Sequence, residues 1–248
     1  MSFQFKSFFI DDSQCAMKVG TDGIMLGAWC QLALEQPNAS YQVLDIGAGS
    51  GLVSLMLAQR LASQRRSFTV TALEIDKYAA KQAELNSQNS PWHNHIKVEL
   101  IDAKQFTSPD GFDLIVSNPP FFELGQSIAQ ITDDQRLKAR QQSELNFQQL
   151  AQLVARLLNS EGTFELVLPF SQANVFESAA RAVGLQLIVQ LNVKANSKKA
   201  YKRCLMRFTK GKGSESKKTL VEELIIHQTD GQYSEDYKRL CKDFYLAF

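Results

Sequence analysis

Residues 117–122 read SNPPFF, in which an amide side chain is followed by two prolines and two phenylalanines. The run before it, FDLIVS (112–117), has the apolar character of a buried strand. Prolines end such a strand because they have no N–H to give the ladder. Asn118, Pro119, Pro120 and Phe121 thus leave the sheet as a stiff turn carrying an amide, backbone carbonyls and an aromatic ring. A second group lies upstream, in LDIGAGSG (44–51). Gly47, Gly49 and Gly51 let the backbone turn sharply and admit a ligand where a Cβ would clash, and the helix N-terminus after them favours an anionic group. Asp45 precedes this turn, Glu74 ends the next apolar run and Asp102 closes the one after. A carboxylate at Glu74 can accept both hydrogen bonds of a ribose diol, and one at Asp102 can receive an adenine amino group.

Parallel strands must place these groups. YQVLDIG (41–47), FTVTALEI (68–75), IKVELI (96–101), FDLIVS (112–117) and GTFELVLP (162–169) are short apolar runs that read as five strands. Between them lie helical patterns over 50–62, 76–89 and 143–159, and SQANVFESAARAVG (171–184) reads as a capped helix ending at Gly184. LQLIVQLNV (185–193) and YKRCLMRFT (201–209) are joined by too few residues for a parallel crossover, so they predict an antiparallel hairpin at the sheet edge. The expected fold is α/β: a doubly wound, mostly parallel, seven-stranded Rossmann-like sheet with an antiparallel edge hairpin. LVEELIIH (220–227) can add a strand, the C-terminus reads as a short amphipathic helix, and TKGKGSESKK (209–218) reads as a linker. In this arrangement the three acids stand at consecutive carboxyl ends of the sheet, where such sheets bind ligands.

The 248 residues suffice for one large domain, and 44% hydrophobic with 21% charged residues is ordinary globular composition. No apolar stretch approaches the length of a membrane span, and the N-terminus lacks a secretory pattern. Cys15, Cys30, Cys204 and Cys241 form no CxxC pair, and His93, His95 and His227 have no ligand partners nearby in sequence. The expectation is a reduced, cytoplasmic protein with no metal site, no membrane association and no obligate protein partner. Net charge is only +1, but ten Lys and Arg residues lie between Lys194 and Lys218 against Glu215 alone.

The glycine turn with its acids, and the seventh, antiparallel strand, resemble the class I S-adenosylmethionine-dependent methyltransferases over roughly residues 15–209. The resemblance implies that Gly47, Gly49 and Gly51 cradle the methionine part of S-adenosylmethionine, with Glu74 on the ribose and Asp102 on the adenine. A nicotinamide-dependent oxidoreductase shares the turn and the ribose acid, but leaves NPPFF and the hairpin without a purpose. An Asn/Asp-Pro-Pro-Tyr/Phe turn at this place is similar to methyltransferases that modify an amino group on a planar system. The Asn118 side-chain carbonyl and the Pro119 backbone carbonyl would accept the two amino hydrogens, and Phe121 would stack on the base.

CAMKVGTDGIMLGAW (15–29), SPWHNHIKV (90–98) and YSEDYKRLCKDFYLAF (233–248) resemble bacterial tRNA adenine-N6 methyltransferases that act on a valine tRNA. That resemblance implies methylation at N6 of the adenosine just 3′ of the anticodon, position 37. It also implies that Lys18, Thr21 and Asp22 contact the cofactor, with residues 1–40 a covering extension and 41–248 the methyltransferase domain. Phe121 departs from the tyrosine more usual there but keeps a stacking face. Lys198, Lys199 and Lys202 would form a phosphate-binding rim on the edge that carries Asn118. Arg136, Lys138 and Arg140 in segment 123–142 would add to it from a lid that orders on substrate. Rivals are a ribosomal RNA guanine-N2 methyltransferase, a protein glutamine N5-methyltransferase, a DNA adenine methyltransferase and a noncatalytic RNA-binding module.

Overall fold

A computed structural model describes residues 2–32, 40–65, 67–119, 145–211 and 218–247. Pro120, Phe121, Arg136, Lys138, Arg140 and the expected lid at 123–142 lie outside these residues, as do the centre of the 209–218 linker and the start of the 143–159 helix.

Apolar runs flanked by turn residues become strands β3 (Tyr41–Ile46), β4 (Phe68–Glu74), β5 (Ile96–Leu100), β6 (Phe112–Ser117) and β7 (Leu158–Pro169). The near-continuous burial of β3, β4 and β6 is that of parallel strands covered on both faces. β8 (Leu185–Lys194) and β9 (Tyr201–Lys210) form the expected antiparallel hairpin. With β10 (Leu220–Ile225) they complete an eight-stranded sheet of order β10-β8-β9-β7-β6-β3-β4-β5. The hairpin is therefore one strand in from the rim, because β10 pairs parallel to β8 from Leu220↔Val189 to Ile225↔Lys194. Only β9 runs against the rest, since β7 and β8 both pair with it antiparallel. A separate two-stranded ribbon, β1 (Ser2–Gln4) with β2 (Phe9–Asp11), opens the chain.

Six helices cover the sheet among the described residues: α1 (Thr21–Trp29), α2 (Leu52–Ser63), α3 (Lys77–Gln88), α4 (Phe147–Leu157), α5 (Ala173–Ala182) and α6 (Glu235–Cys241). Asp76 caps α3 by accepting from the N–H groups of Tyr78 and Ala79 at 3.0 and 2.9 Å. Asn146 and Gln149 form a reciprocal capping box on α4. The expected cap on α5 is absent: a 3-10 turn over Phe170–Gln172 leads into it, and no side chain bonds its first turn. Its exit is as read, since Gly184 has φ +81°, the left-handed region that glycine enters without strain.

Two hydrophobic layers result. On one face Phe5, Phe8 and Ile10 join α1, α2, Tyr237 and Phe244 in a single cluster, so the two ends of the chain share a core. On the other, α4 and α5 pack over Phe164, Phe176 and Phe208, whose rings lie 5.5–6.2 Å apart. Glu165 of β7 is fully buried and pairs with Arg207 of β9 at 2.8 Å, while Arg207 also donates to the Gln31 side chain at 2.7 Å. Burial pushes the Glu165 carboxyl pKa up, and the Arg207 guanidinium opposes this. Breaking one side of a buried pair leaves an uncompensated charge. Arg207→Met should therefore cost about 3–5 kcal/mol of unfolding free energy, measured by urea denaturation, with the loss markedly reduced in Arg207→Met combined with Glu165→Leu.

Candidate active site

The turn after β3 takes the shape its glycines allow. Gly47, Gly49 and Gly51 have φ of 75°, 58° and 80°, all in the left-handed region. A Cβ built on Gly47 or Gly49 would meet nothing within 4 Å, so the turn borders an open cradle and does not press on the protein. At Gly51 the same Cβ would lie 3.3 Å from Ala83, which brings the start of α2 close against α3.

Glu74 holds this turn in place. Its Oε2 accepts the Gly49 N–H at 2.8 Å, and Oε1 accepts those of Ile75 and Asp76, each at 2.9 Å. A carboxylate has about four acceptor positions, so one remains for a ligand hydroxyl. Asp102 caps a short 3-10 turn: Oδ1 accepts the Lys104 N–H at 2.9 Å, and the Lys104 ammonium lies 3.4 Å from Oδ2. Asp45 is buried below the turn and accepts the Ser54 hydroxyl at 2.7 Å. Burial pushes its pKa up to about 6, against the pull of the Ser54 bond, and the Glu74 charge adds to the rise.

The end of β6 supplies the other half. The Ser117 hydroxyl donates to the Ile46 carbonyl at 2.9 Å, which ties the strand end to the glycine turn. Asn118 follows. Its Nδ2 faces the Met17 Sδ at 3.9 Å, while Oδ1 is buried and has no hydrogen-bond partner among the described residues. An acceptor shielded from water without a donor is costly, on the order of 1–3 kcal/mol. Such an acceptor can take the N–H of a bound group. Pro119 is buried beside it.

The N-terminal segment lies across this edge. Asp12 Oδ2 accepts the Val19 N–H at 2.8 Å, and Lys18 Nζ donates to the carbonyls of Asp12 and Ser13 at 2.7 and 3.2 Å, so two of its three N–H donors close its own loop. Thr21 is exposed at the start of α1. Asp22 pairs at 2.8 Å with Arg203, which in the sequence is one cation among many in a basic run. A Cβ on Gly23 would come within 3.7 Å of the Asn118 amide nitrogen, so the first turn of α1 lies against Asn118. Because β8 runs parallel to β6 and β7, the 195–200 loop opens on the same edge, with Lys198, Lys199 and Lys202 exposed.

Sequence reasoning missed Met17, Ser54, Ile75 and Leu100. Ile75, just past the end of β4, and Leu100, the last residue of β5, are 47% and 59% exposed and give an apolar surface there. Their position beside Glu74 and before Asp102 was the available signal. Among the described residues no group of His, Cys, Asp and Glu could hold a metal ion, and no helix is long and apolar enough to cross a membrane. A cleft of about 390 Å³, bordered by Gln42, Lys97, Phe106 and Phe112, opens at the other end of the strands and shares no residue with the crevice.

Comparison with known proteins agrees with this geometry. A predicted O-methyltransferase from Agrobacterium tumefaciens superposes with a TM-score of 0.65 over 90% of this chain and 96% of its own, at 17% identity. A glycopeptide N-methyltransferase crystallised with S-adenosylmethionine gives 0.52 over 76% and 94%, at 14% identity. The fold is that of the class I methyltransferases. The methyltransferase small domain family matches residues 30–169. A tRNA1(Val) (adenine(37)-N6)-methyltransferase of Bacteroides thetaiotaomicron is 43% identical over 98% of this chain and 97% of its own length. Its counterpart in Escherichia coli O157:H7 is 39% identical over 98% and 94%. The chain belongs to this family of tRNA1(Val) (adenine(37)-N6)-methyltransferases.

The raised pKa of Asp45 has a signed consequence. Between its ordinary value of 3.8 and about 6 the folded protein holds a proton that the unfolded chain has lost, so this group's contribution to stability falls as pH rises through that window. Asp45→Asn should be more stable than the parent at pH 7.5 by about 1–3 kcal/mol. Urea denaturation should show the gap closing as pH falls from 6 toward 4.

Proposed function

We propose that this enzyme transfers the methyl group of S-adenosylmethionine to the exocyclic N6 of adenosine 37 in a valine tRNA. The observation that carries this reading is the orphaned, buried Asn118 Oδ1 at the carboxyl edge of the sheet, beside the open glycine cradle. The activity named for relatives aligned over nearly the whole chain supports the substrate. The residues present fit the cofactor. Gly47 and Gly49 leave room for its methionine part, Glu74 retains an acceptor position for a ribose hydroxyl, and Ile75 and Leu100 flank the place of an adenine ring. Asp102 is the acceptor nearest that ring in sequence, and Asp22 and Thr21 border the crevice from α1. When bound, S-adenosylmethionine supplies an electrophilic methyl group.

The chain's own task is to make a poor nucleophile competent. The lone pair of an adenine amino group is delocalised into the ring, so the nitrogen is flat and weakly nucleophilic. Asn118 Oδ1 accepts one N6 hydrogen and the Pro119 carbonyl the other, which draws the nitrogen toward a tetrahedral shape and frees its lone pair. The prolines fix the turn, so the acceptors need no reorganisation. The role the motif gives Phe121 is stacking on the extruded base, worth about 1–3 kcal/mol against an unstacking cost of a few kcal/mol. Once methylated, the nitrogen is cationic and sheds a proton readily, so no strong general base is needed. Lys198, Lys199 and Lys202 hold RNA phosphates on the same edge. A tRNA substrate implies a cytoplasmic enzyme.

The test is to incubate the enzyme with radiolabelled S-adenosylmethionine and total bacterial RNA, then digest the RNA to nucleosides. Label should appear in tRNA as N6-methyladenosine. Label in ribosomal RNA as a methylated guanosine, or in protein as methylglutamine, would overturn the substrate assignment.

A further inference from the structure

Arg203 belongs by sequence to the basic run from Lys194 to Lys218, beside three lysines assigned to the RNA. Its surroundings are different. In a strand, neighbouring side chains point to opposite faces, and here Lys202 is exposed while only 27% of the Arg203 side chain is. Its Nε donates to Asp22 Oδ2 at 2.8 Å, and an Nη donates to the Lys202 carbonyl at 3.2 Å. Asp22 lies in the first turn of α1. Four residues along β9, Arg207 serves the other end of the same helix, with its guanidinium 4.5 Å over the Trp29 ring and a 2.7 Å bond to Gln31. One strand thus grips α1 at both ends.

We propose that Arg203 is a positioning residue for the cofactor crevice, setting Asp22 and the first turn of α1, and is not a contact to RNA phosphate. This rests on the reading of the crevice as the S-adenosylmethionine site, and it sets Arg203 apart from the exposed lysines Lys198, Lys199 and Lys202. A partly exposed ion pair contributes little to stability, so its effect lies in orientation. The next residue, Gly23, is in tight register with Leu52, which a Cβ would meet at 3.1 Å, and with the Asn118 amide. A shift of this turn moves two walls of the crevice together. The planar fork of arginine suits the task because Nε binds Asp22 while the same rigid group reaches the Lys202 carbonyl.

The experiment measures two affinities for Arg203→Gln, Arg203→Lys and Lys199→Ala. One is S-adenosylmethionine binding by calorimetry; the other is tRNA binding as a function of salt. A phosphate contact removed lowers the slope of log K against log salt by about 0.7–0.9. Arg203→Gln should weaken S-adenosylmethionine binding roughly five- to tenfold with the tRNA salt slope unchanged. Arg203→Lys, which keeps the charge, should recover part of that affinity. Lys199→Ala should lower the slope. A reduced slope in Arg203→Gln, or cofactor affinity equal to the parent, overturns the inference. If Arg203→Gln does not fold, Arg203→Lys decides by its cofactor affinity, since a retained charge leaves the salt slope unchanged under either role. An unchanged slope in Lys199→Ala would overturn the RNA rim, whereas the role of Arg203 stands or falls by the cofactor affinity and salt slope of its own variants.

Discussion

The crevice is built on the tie between the glycine turn and the end of β4, in which the Glu74 carboxylate joins two turns. Glu74 binds backbone N–H groups from two separate turns, Gly49 after β3 and Ile75 with Asp76 after β4. The Gly47 and Ala48 N–H groups also donate to the Leu73 carbonyl at 2.9 and 3.0 Å, so backbone and carboxylate together fix the left-handed run through Gly47, Gly49 and Gly51 against the next strand. Because Ser117 ties β6 to Ile46, and Asp45 takes the Ser54 hydroxyl, the strand ends and the start of α2 become one rigid frame. Preorganisation of this kind lets a few acceptors act on a weak nucleophile without rearranging during the reaction.

The N-terminal segment packs against this frame at Asn118 through Met17 and Gly23. Its loop is pinned by Asp12 and Lys18, and α1 is held to β9 through Asp22–Arg203 and through Arg207. Met17, exposed at 44%, is set against the Asn118 amide nitrogen and leaves the oxygen as the unsatisfied end. The Lys202 backbone, the first turn of α1 and Asn118 are therefore linked through Arg203, Asp22 and Gly23.

Much of this was legible in the sequence because the strands are short apolar runs and the turns carry residues with one physical use. β3 to β6 fall within a residue or so of their expected bounds. β7 begins at Leu158, ahead of the expected 162, because Leu158 already pairs with Phe112 across a register irregularity. The place of β10 outside the hairpin is a nonlocal pairing that no local pattern encodes. Among site residues, Glu74 and Asp102 stand where expected, yet both are already engaged by backbone, which spacing alone cannot reveal. Lys18 faces its own loop, and Arg203 could be told from its lysine neighbours only once the partner helix was placed.

The central claim is that Asn118 Oδ1 activates the amino group of the target base. Single-turnover methylation of valine tRNA by Asn118→Ala, measured with S-adenosylmethionine and tRNA binding on the same preparation, tests it most directly. The rate should fall roughly 10²–10³-fold, with both affinities within a few-fold of the parent. A rate close to the parent's would contradict the claim, and the orphaned oxygen would then have no part in the chemistry.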